Sequence, residues 1–397
     1  MMKTCQDFLR RHTGEILFFG AWLIFLYDRY AKILYRHGVP LQGTFRKTIY
    51  VLLLAKIVAD LLRDKRFYWR DGVAVAVAIL GYVAAITSGV GPWGLSIPVF
   101  LVLSARNLNL RHIYFVTLGV SMAFLAYTFL SIAVGRMEDV VYVTNGGARV
   151  RHYLGFYSNY IASYLVEFAT IFYFALRKRP HWGEALAWLV ANGVVYYFTQ
   201  SRCPFYTSVL LCVGGYFFCR SRRELVSSRL WRWVLPYLSV ICAVVSITAI
   251  ALYQPENALF AKVNQLLTQR LRLGHEALEV VRPNLFGQLI EWRTGEDIWG
   301  TSEYFYVDSS YLKYTLMYGV VFMVLLLIGF VLASRRMVQE NDRSMLVGVV
   351  ILLLISMSDS MLTSLYVQPV VMVTAMAFDP KTELSLLPPK PREIPDE

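Results

Sequence analysis

Arginines placed beside long apolar runs are the residues of this sequence best suited to chemistry. Arg136, Arg149 and Arg151 precede one such run, Arg202 stands between two more, and Arg270 lies in the longest stretch that lacks one. A guanidinium is permanently charged and offers a planar fork that matches two oxygens of a phosphate at once. Several together point to a phosphate or pyrophosphate ligand, against the simpler alternative that each snorkels to a lipid headgroup. Arg202 ends the run TQSR (199–202), and Cys203-Pro204 follow it. Proline favours the first helical turn, so a helix starting here would set free N–H groups and a positive dipole end beside the guanidinium.

Arg270 gains its interest from periodicity. Val263, Leu267, Gly274, Leu278 and Val281 fall within about 60° of one another at 100° per residue, which predicts an amphipathic helix across 258–282. Arg270 lies inside that apolar stripe, while Arg272 points away from it with Glu276 and Glu279. A charge on a buried stripe needs a partner or a ligand. His275 flanks the stripe, as a solvated side chain or as an acid–base group. Asp308 comes just before Ser309-Ser310-Tyr311, where another apolar run begins. It can cap that helix, or stand as a free carboxylate able to activate a hydroxyl or orient an arginine. Within the apolar runs themselves, Asp28 with Arg29, Lys56 with Asp60, and Glu167 are ionisable groups in costly places. Lys56 and Asp60, four apart on a helix, are expected to pair.

The elements that must position these groups are membrane helices. Of the 397 residues, 57% are hydrophobic and only 17% charged, where a soluble domain carries about 25% charge. Apolar runs near 14–35, 47–63, 73–89, 93–105, 112–134, 153–176, 184–199, 203–219, 233–253, 309–333, 344–362 and 363–379 are read as twelve spans, most of them close to the roughly 17–25 residues a crossing needs. Period-2 alternation is absent, so the expectation is an all-α, polytopic chain and not a barrel. Lys and Arg gather on alternate connections: twenty lie in the N-terminal tail and around 63–70, 106–111, 177–179, 220–232 and 335–343. The positive-inside rule then puts both termini in the cytoplasm and leaves one large segment, 254–308, outside.

One transmembrane domain, 1–379, is expected, followed by a Pro-rich, charged and disordered tail at 380–397. The +12 net charge is largely the orientation signal and gives no support to nucleic-acid binding. The five cysteines show no CxxC or Cys/His spacing, so no zinc site or disulfide framework is expected. The absence of a DxD or other acidic cluster points to a mechanism without metal or cofactor.

Five segments resemble the bacterial polysaccharide polymerases of the Wzy type, which build O-antigen, capsule and exopolysaccharide chains. They are RVRHYLGFYSNY (149–160), FTQSR (198–202), NQLLTQRLRLGHEAL (264–278), NLFGQ (284–288) and YVDSSYLKYTLMYGV (306–320). The resemblance covers mainly 149–320. It implies a GT-C-like membrane architecture, with Arg270, Asp308 and Tyr311 as catalytic candidates; His275 joins them as an acid–base candidate from its place beside the stripe. Arg151 and Arg202 are implied to hold the pyrophosphate; Arg149 and His152, next to Arg151, are further candidates for substrate binding. Where the family often has a proline-asparagine pair after LGF, this chain has Tyr157-Ser158-Asn159.

The implied reaction moves a growing glycan from undecaprenyl pyrophosphate onto a new lipid-linked repeat unit, outside the cytoplasmic membrane. The implied partners are the lipid-linked donor and acceptor, membrane lipids, and a flippase and chain-length regulator of the same pathway. Arginines and a helix N-terminus suit the charge that develops on a pyrophosphate leaving group, and Asp308 or His275 suits the general base. A ligase of related architecture would use the same arginines. A lipid-linked oligosaccharide flippase is the alternative from another class, although transporters often show internal repeats and none is visible here.

Overall fold

The computed structural model describes residues 2–36, 43–64, 68–91, 94–144, 149–293 and 304–378. The expected tail, 380–397, lies outside the described residues. The chain is mostly helical, and among the described residues five helices are long and apolar enough to cross a membrane: α3 (Trp69–Thr87), α5 (Leu110–Ala133), α6 (Asn159–Arg177), α10 (Arg229–Ala251) and α14 (Val320–Gln339). The first two helices are α1 (Met2–Ile33) and α2 (Gly43–Asp64), with α4 (Ser96–Ser104) between α3 and α5.

Helix α6 is the central element, buried along most of its length and packed against α5, α7 (Trp182–Thr199), α8 (Arg202–Leu210) and α15 (Arg343–Ser358). The outer helices turn bare apolar side chains away from the bundle, among them Phe115, Leu130, Val190, Tyr197 and Val244. Such faces suit hydrocarbon better than water.

Hydrogen bonds gather particular connections at each end of the bundle. At one end Lys56 bonds Asp60 at 2.6 Å and the carbonyl of Arg106 at 2.9 Å, and Arg106 pairs with Asp71. There too Arg111 reaches the Asp342 carboxylate at 2.7 Å, and Arg343 donates to the carbonyls of Phe218 and Arg223. These belong to the connections that carry the basic excess. At the other end the Tyr35 amide donates to the carbonyl of Gly155, and the Thr87 hydroxyl to that of Phe286.

Several expected spans are not single crossing helices. Helix α4 has nine residues, about 14 Å at 1.5 Å per residue, which is less than half of a roughly 30 Å hydrocarbon core. The span expected at 203–219 is α8, a π-helical turn at Leu211–Gly215 and α9 (Tyr216–Arg220). The span expected at 309–333 is broken into α13 (Ser310–Tyr318) and α14 at Gly319, whose φ of 92° a side chain resists. A Cβ at Gly319 would lie 2.4 Å from the carbonyl oxygen of Leu285, because the NLFGQ loop inserts there. The amides of Val320 and Val321 donate to Asn284 and Leu285, and that of Gln288 donates to Met317. The last two spans appear as α15, which stops at Ser358, and a 3-10 helix, Pro369–Phe378, with non-helical chain between them.

The outer segment departs from expectation as well. In place of one helix across 258–282 there are two, α11 (Ala258–Leu266) and α12 (Arg270–Val280), separated by Thr268 and Gln269 in the left-handed region. Asn264 holds this corner, donating to Gln269 Oε1 at 2.7 Å and accepting from the Arg272 amide at 3.2 Å. Among the described residues, β1 (Val141–Thr144) and β2 (Arg149–His152) form an antiparallel hairpin between α5 and α6.

Candidate active site: two arginine centres

The left-handed corner puts Arg270 in the first turn of α12, facing the place where α15 ends. All three guanidinium nitrogens meet protein acceptors. Nε is 3.4 Å from Asp308, Nη2 is 3.5 Å from Asp359, and Nη1 donates to the carbonyl of Ser358. Asp359 is the residue that sequence reasoning missed. Its Oδ2 accepts the Tyr164 hydroxyl at 2.5 Å, its Oδ1 accepts the Ser360 amide at 3.0 Å, and its carbonyl accepts the Ser310 hydroxyl at 2.6 Å. Asp359 is thereby locked to α6, α12 and α13 at once. A carboxylate inside SMSDS (356–360), at the end of an apolar run, was the available signal, since an ionisable group in a membrane run is a functional candidate by default.

Asp308 is held less completely. The N-cap of α13 is Ser309, not Asp308, so the carboxylate is left to Arg270. Burial pushes the Asp308 carboxyl up to about 6, with Arg270 pulling down and Asp359 pushing further up. A carboxyl poised there is suited to taking a proton near neutral pH. Burial alone would lower the Arg270 pKa, but Asp359 and Asp308 outweigh it and hold the guanidinium charged. Lys313 borders the same centre: its ammonium donates to the Tyr306 hydroxyl at 2.5 Å, and that hydroxyl lies 3.1 Å from Ser360 Oγ.

The second centre is cationic. Arg149 and Arg151 alternate on β2, so they share a face of the hairpin. Arg149 donates to the carbonyl of Gln200 at 2.8 Å, where α7 ends in a left-handed residue, and Arg202 opens α8 immediately after. Burial, and then the nearness of the other two arginines, lowers the Arg149 pKa; burial and Arg202 act likewise on Arg151. Arg151 Nε is buried without a hydrogen-bond partner. Among the described residues no carboxylate pairs with Arg151 or Arg202. Three like charges are therefore crowded at one spot, and an anion would relieve them. Asn159 anchors the TQSR turn, donating to the Thr199 carbonyl at 2.9 Å and Ser201 Oγ at 3.1 Å. Cys203 Sγ lies 3.4 Å from Ser358 Oγ, so the two centres share a wall.

The other expected residues stand apart. Tyr311 is fully buried and donates to the carbonyl of Leu353 at 3.0 Å, turned away from Arg270. His275 Nδ1 is 3.0 Å from the carbonyl of Ile250 and its ring meets Tyr253 edge-on, on the face of α12 toward α10. His152 Nδ1 is 2.6 Å from Asp139, a partner that leaves it outside the arginine cluster. Glu167 is buried in α6, accepting from Thr207 through one oxygen and leaving the other without a partner. No three His, Cys, Asp or Glu side chains stand together as a metal-binding group among the described residues.

Comparison with known proteins finds no matching family model, no matching curated protein and no matching solved structure.

Proposed function

We propose that this protein is a glycosyltransferase that polymerises undecaprenyl-pyrophosphate-linked repeat units into a surface polysaccharide. The observation that carries the reading is the pair of adjoining centres: three crowded arginines, beside a poised carboxylate, Asp308, that Arg270 holds in place. Arg149, Arg151 and Arg202 bind the pyrophosphate of the donor. Asp308 takes the proton of the acceptor hydroxyl as its oxygen attacks the anomeric carbon. The bond from that carbon to the pyrophosphate oxygen breaks, and the leaving group departs with the electron pair, stabilised by the arginines and the N–H groups that open α8. Arg270 is a positioning residue in this scheme, because its three nitrogens are already engaged by the protein. Asp359, with its oxygens taken up by Tyr164, Ser360 and Arg270, fixes Arg270 and leaves the proton to Asp308.

The same reading puts both termini in the cytoplasm, twelve passes in a GT-C-like arrangement, and the two centres at the outer face of the cytoplasmic membrane. The basic connections 63–70, 106–111, 220–232 and 335–343 support that orientation. A flippase supplies the lipid-linked units and a chain-length regulator attends the product. Reconstitution with lipid-linked repeat units tests the proposal. Longer glycan on the same lipid is the expected product. Glycan moved to a different acceptor would make the protein a ligase, and units crossing the bilayer unchanged would make it a flippase.

A further inference from the structure

A cavity of about 210 Å³ opens between α3, α4, α14 and the final 3-10 helix, apart from both arginine centres. Val77, Leu80, Val102 and Leu325 are among its apolar walls. Its lining on α3 runs from Trp69 to Leu80, about 16 Å at 1.5 Å per residue. That is the depth of one leaflet, half of a roughly 30 Å hydrocarbon core. The flanking side chains Val73 and Ile328 are exposed, so the groove is open to its surroundings along its length.

The polar end of the groove identifies the occupant. Trp69 is 63% exposed, and the Arg70 guanidinium lies over its ring, 5.6 Å from the centroid. Tryptophan and arginine together at a helix end mark headgroup depth, and both line this cavity. A slot one leaflet deep, with a cation at its headgroup end, matches a lipid of that leaflet. The arginines proposed for the substrate lie at the opposite end of the bundle, since Asp71, next to Arg70, pairs with Arg106 at the basic end. A lipid anchored at Arg70 therefore belongs to the other leaflet.

We infer that the groove is a structural lipid site, which holds one acyl chain of a phospholipid while Arg70 meets its phosphate. Thr363 and Leu365 also line it. They follow Asp359 in the non-helical stretch between α15 and the 3-10 helix, so a bound chain packs directly against the segment that carries Asp359.

The full-length protein, purified in mild detergent and washed free of annular lipid, tests this by native mass spectrometry and extracted-phosphate analysis. Wild type is expected to retain about one phospholipid per chain. Val77→Trp, which fills the groove from α3, and Val102→Phe, which fills it from α4, should each lower retention at least five-fold. Arg70→Gln should lower it less, with the loss falling mainly on anionic species. Unfolding midpoints show which variants are folded, and either folded groove variant suffices for the comparison. Equal retention in wild type and a folded groove variant would overturn the assignment. So would a polyprenyl lipid as the retained species.

Discussion

Removing Arg270 should expose how tightly the carboxylate centre is coupled. Its side chain is 24% exposed, and those of Asp308 and Asp359 are 18% and 16%. Breaking a fully buried ion pair costs about 3–5 kcal/mol, mostly because the remaining charge is stranded. The residual exposure here reduces that to about 2–4 kcal/mol for Arg270→Ala. The two carboxylates would then face each other with only the Lys313 ammonium nearby to offset them. Asp359→Asn removes one of them, so the double variant Arg270→Ala/Asp359→Asn should be less destabilised than the sum of the singles, by about 1–3 kcal/mol. The pH dependence follows the same logic. Arg270 pulls the Asp308 carboxyl down from where burial and Asp359 would otherwise push it. With Asp308 as the proposed base, its ionised form is the active one, so the rate is expected to climb as pH rises through about 6, and Arg270→Ala should move that limb to higher pH. Unfolding can be followed with a thiol-reactive dye, because Cys212, Cys219 and Cys242 are free and buried. Strictly additive variants, with the acid limb unmoved, would refute the coupling and with it the role given to Arg270.

Further outcomes can be checked in the same preparations. Arg272 is half exposed and pairs with Glu276 at 3.0 Å. Arg272→Ala should thus change stability by no more than about 0.5 kcal/mol and leave elongation near wild type; a loss matching that of Arg270→Ala would be against the geometry. Asp308→Asn should slow elongation by about 10²–10⁴-fold and flatten the acid limb near pH 6, measured as initial rate against pH. Arg151→Lys and Arg202→Lys keep the charge but lose the fork. Each should cost about 10²–10³-fold in rate with unchanged unfolding midpoints, and near-wild-type chain length in both would return them to headgroup anchoring.

What could be read from the sequence was set by the range of the interactions involved. Lys56 and Asp60 pair as their spacing requires, since an i,i+4 contact depends only on the local helix. Arg270 faces inward and Arg272 outward although the predicted helix is broken, because the break at Thr268–Gln269 precedes both residues and leaves their wheel intact. The break itself carries no glycine or proline to announce it. It depends on Asn264 bonding around the corner, which periodicity does not report. Asp359 was hidden for a related reason. Its partners Tyr164 and Arg270 are distant in sequence, and the surrounding leucines read as an uninterrupted span. The Gly319 break and the NLFGQ loop that fills it are likewise two halves of one tertiary contact, visible singly as motifs but joined only in the fold. His275 and Tyr311 show the converse: their types suited catalysis, but their hydrogen bonds to the Ile250 and Leu353 carbonyls turn them away from the Arg270 centre.

Glycan transfer from pyrophosphate at the paired arginine centres is the step that defines the proposed function. The most direct measurement is the stoichiometry of the reconstituted reaction, counting released undecaprenyl pyrophosphate against repeat units added, with no nucleotide sugar present. One pyrophosphate lipid is expected to be released for each unit joined, with release and elongation falling together in Arg151→Lys and Arg202→Lys. Elongation that requires a nucleotide sugar, or that proceeds without releasing the pyrophosphate lipid, would contradict it.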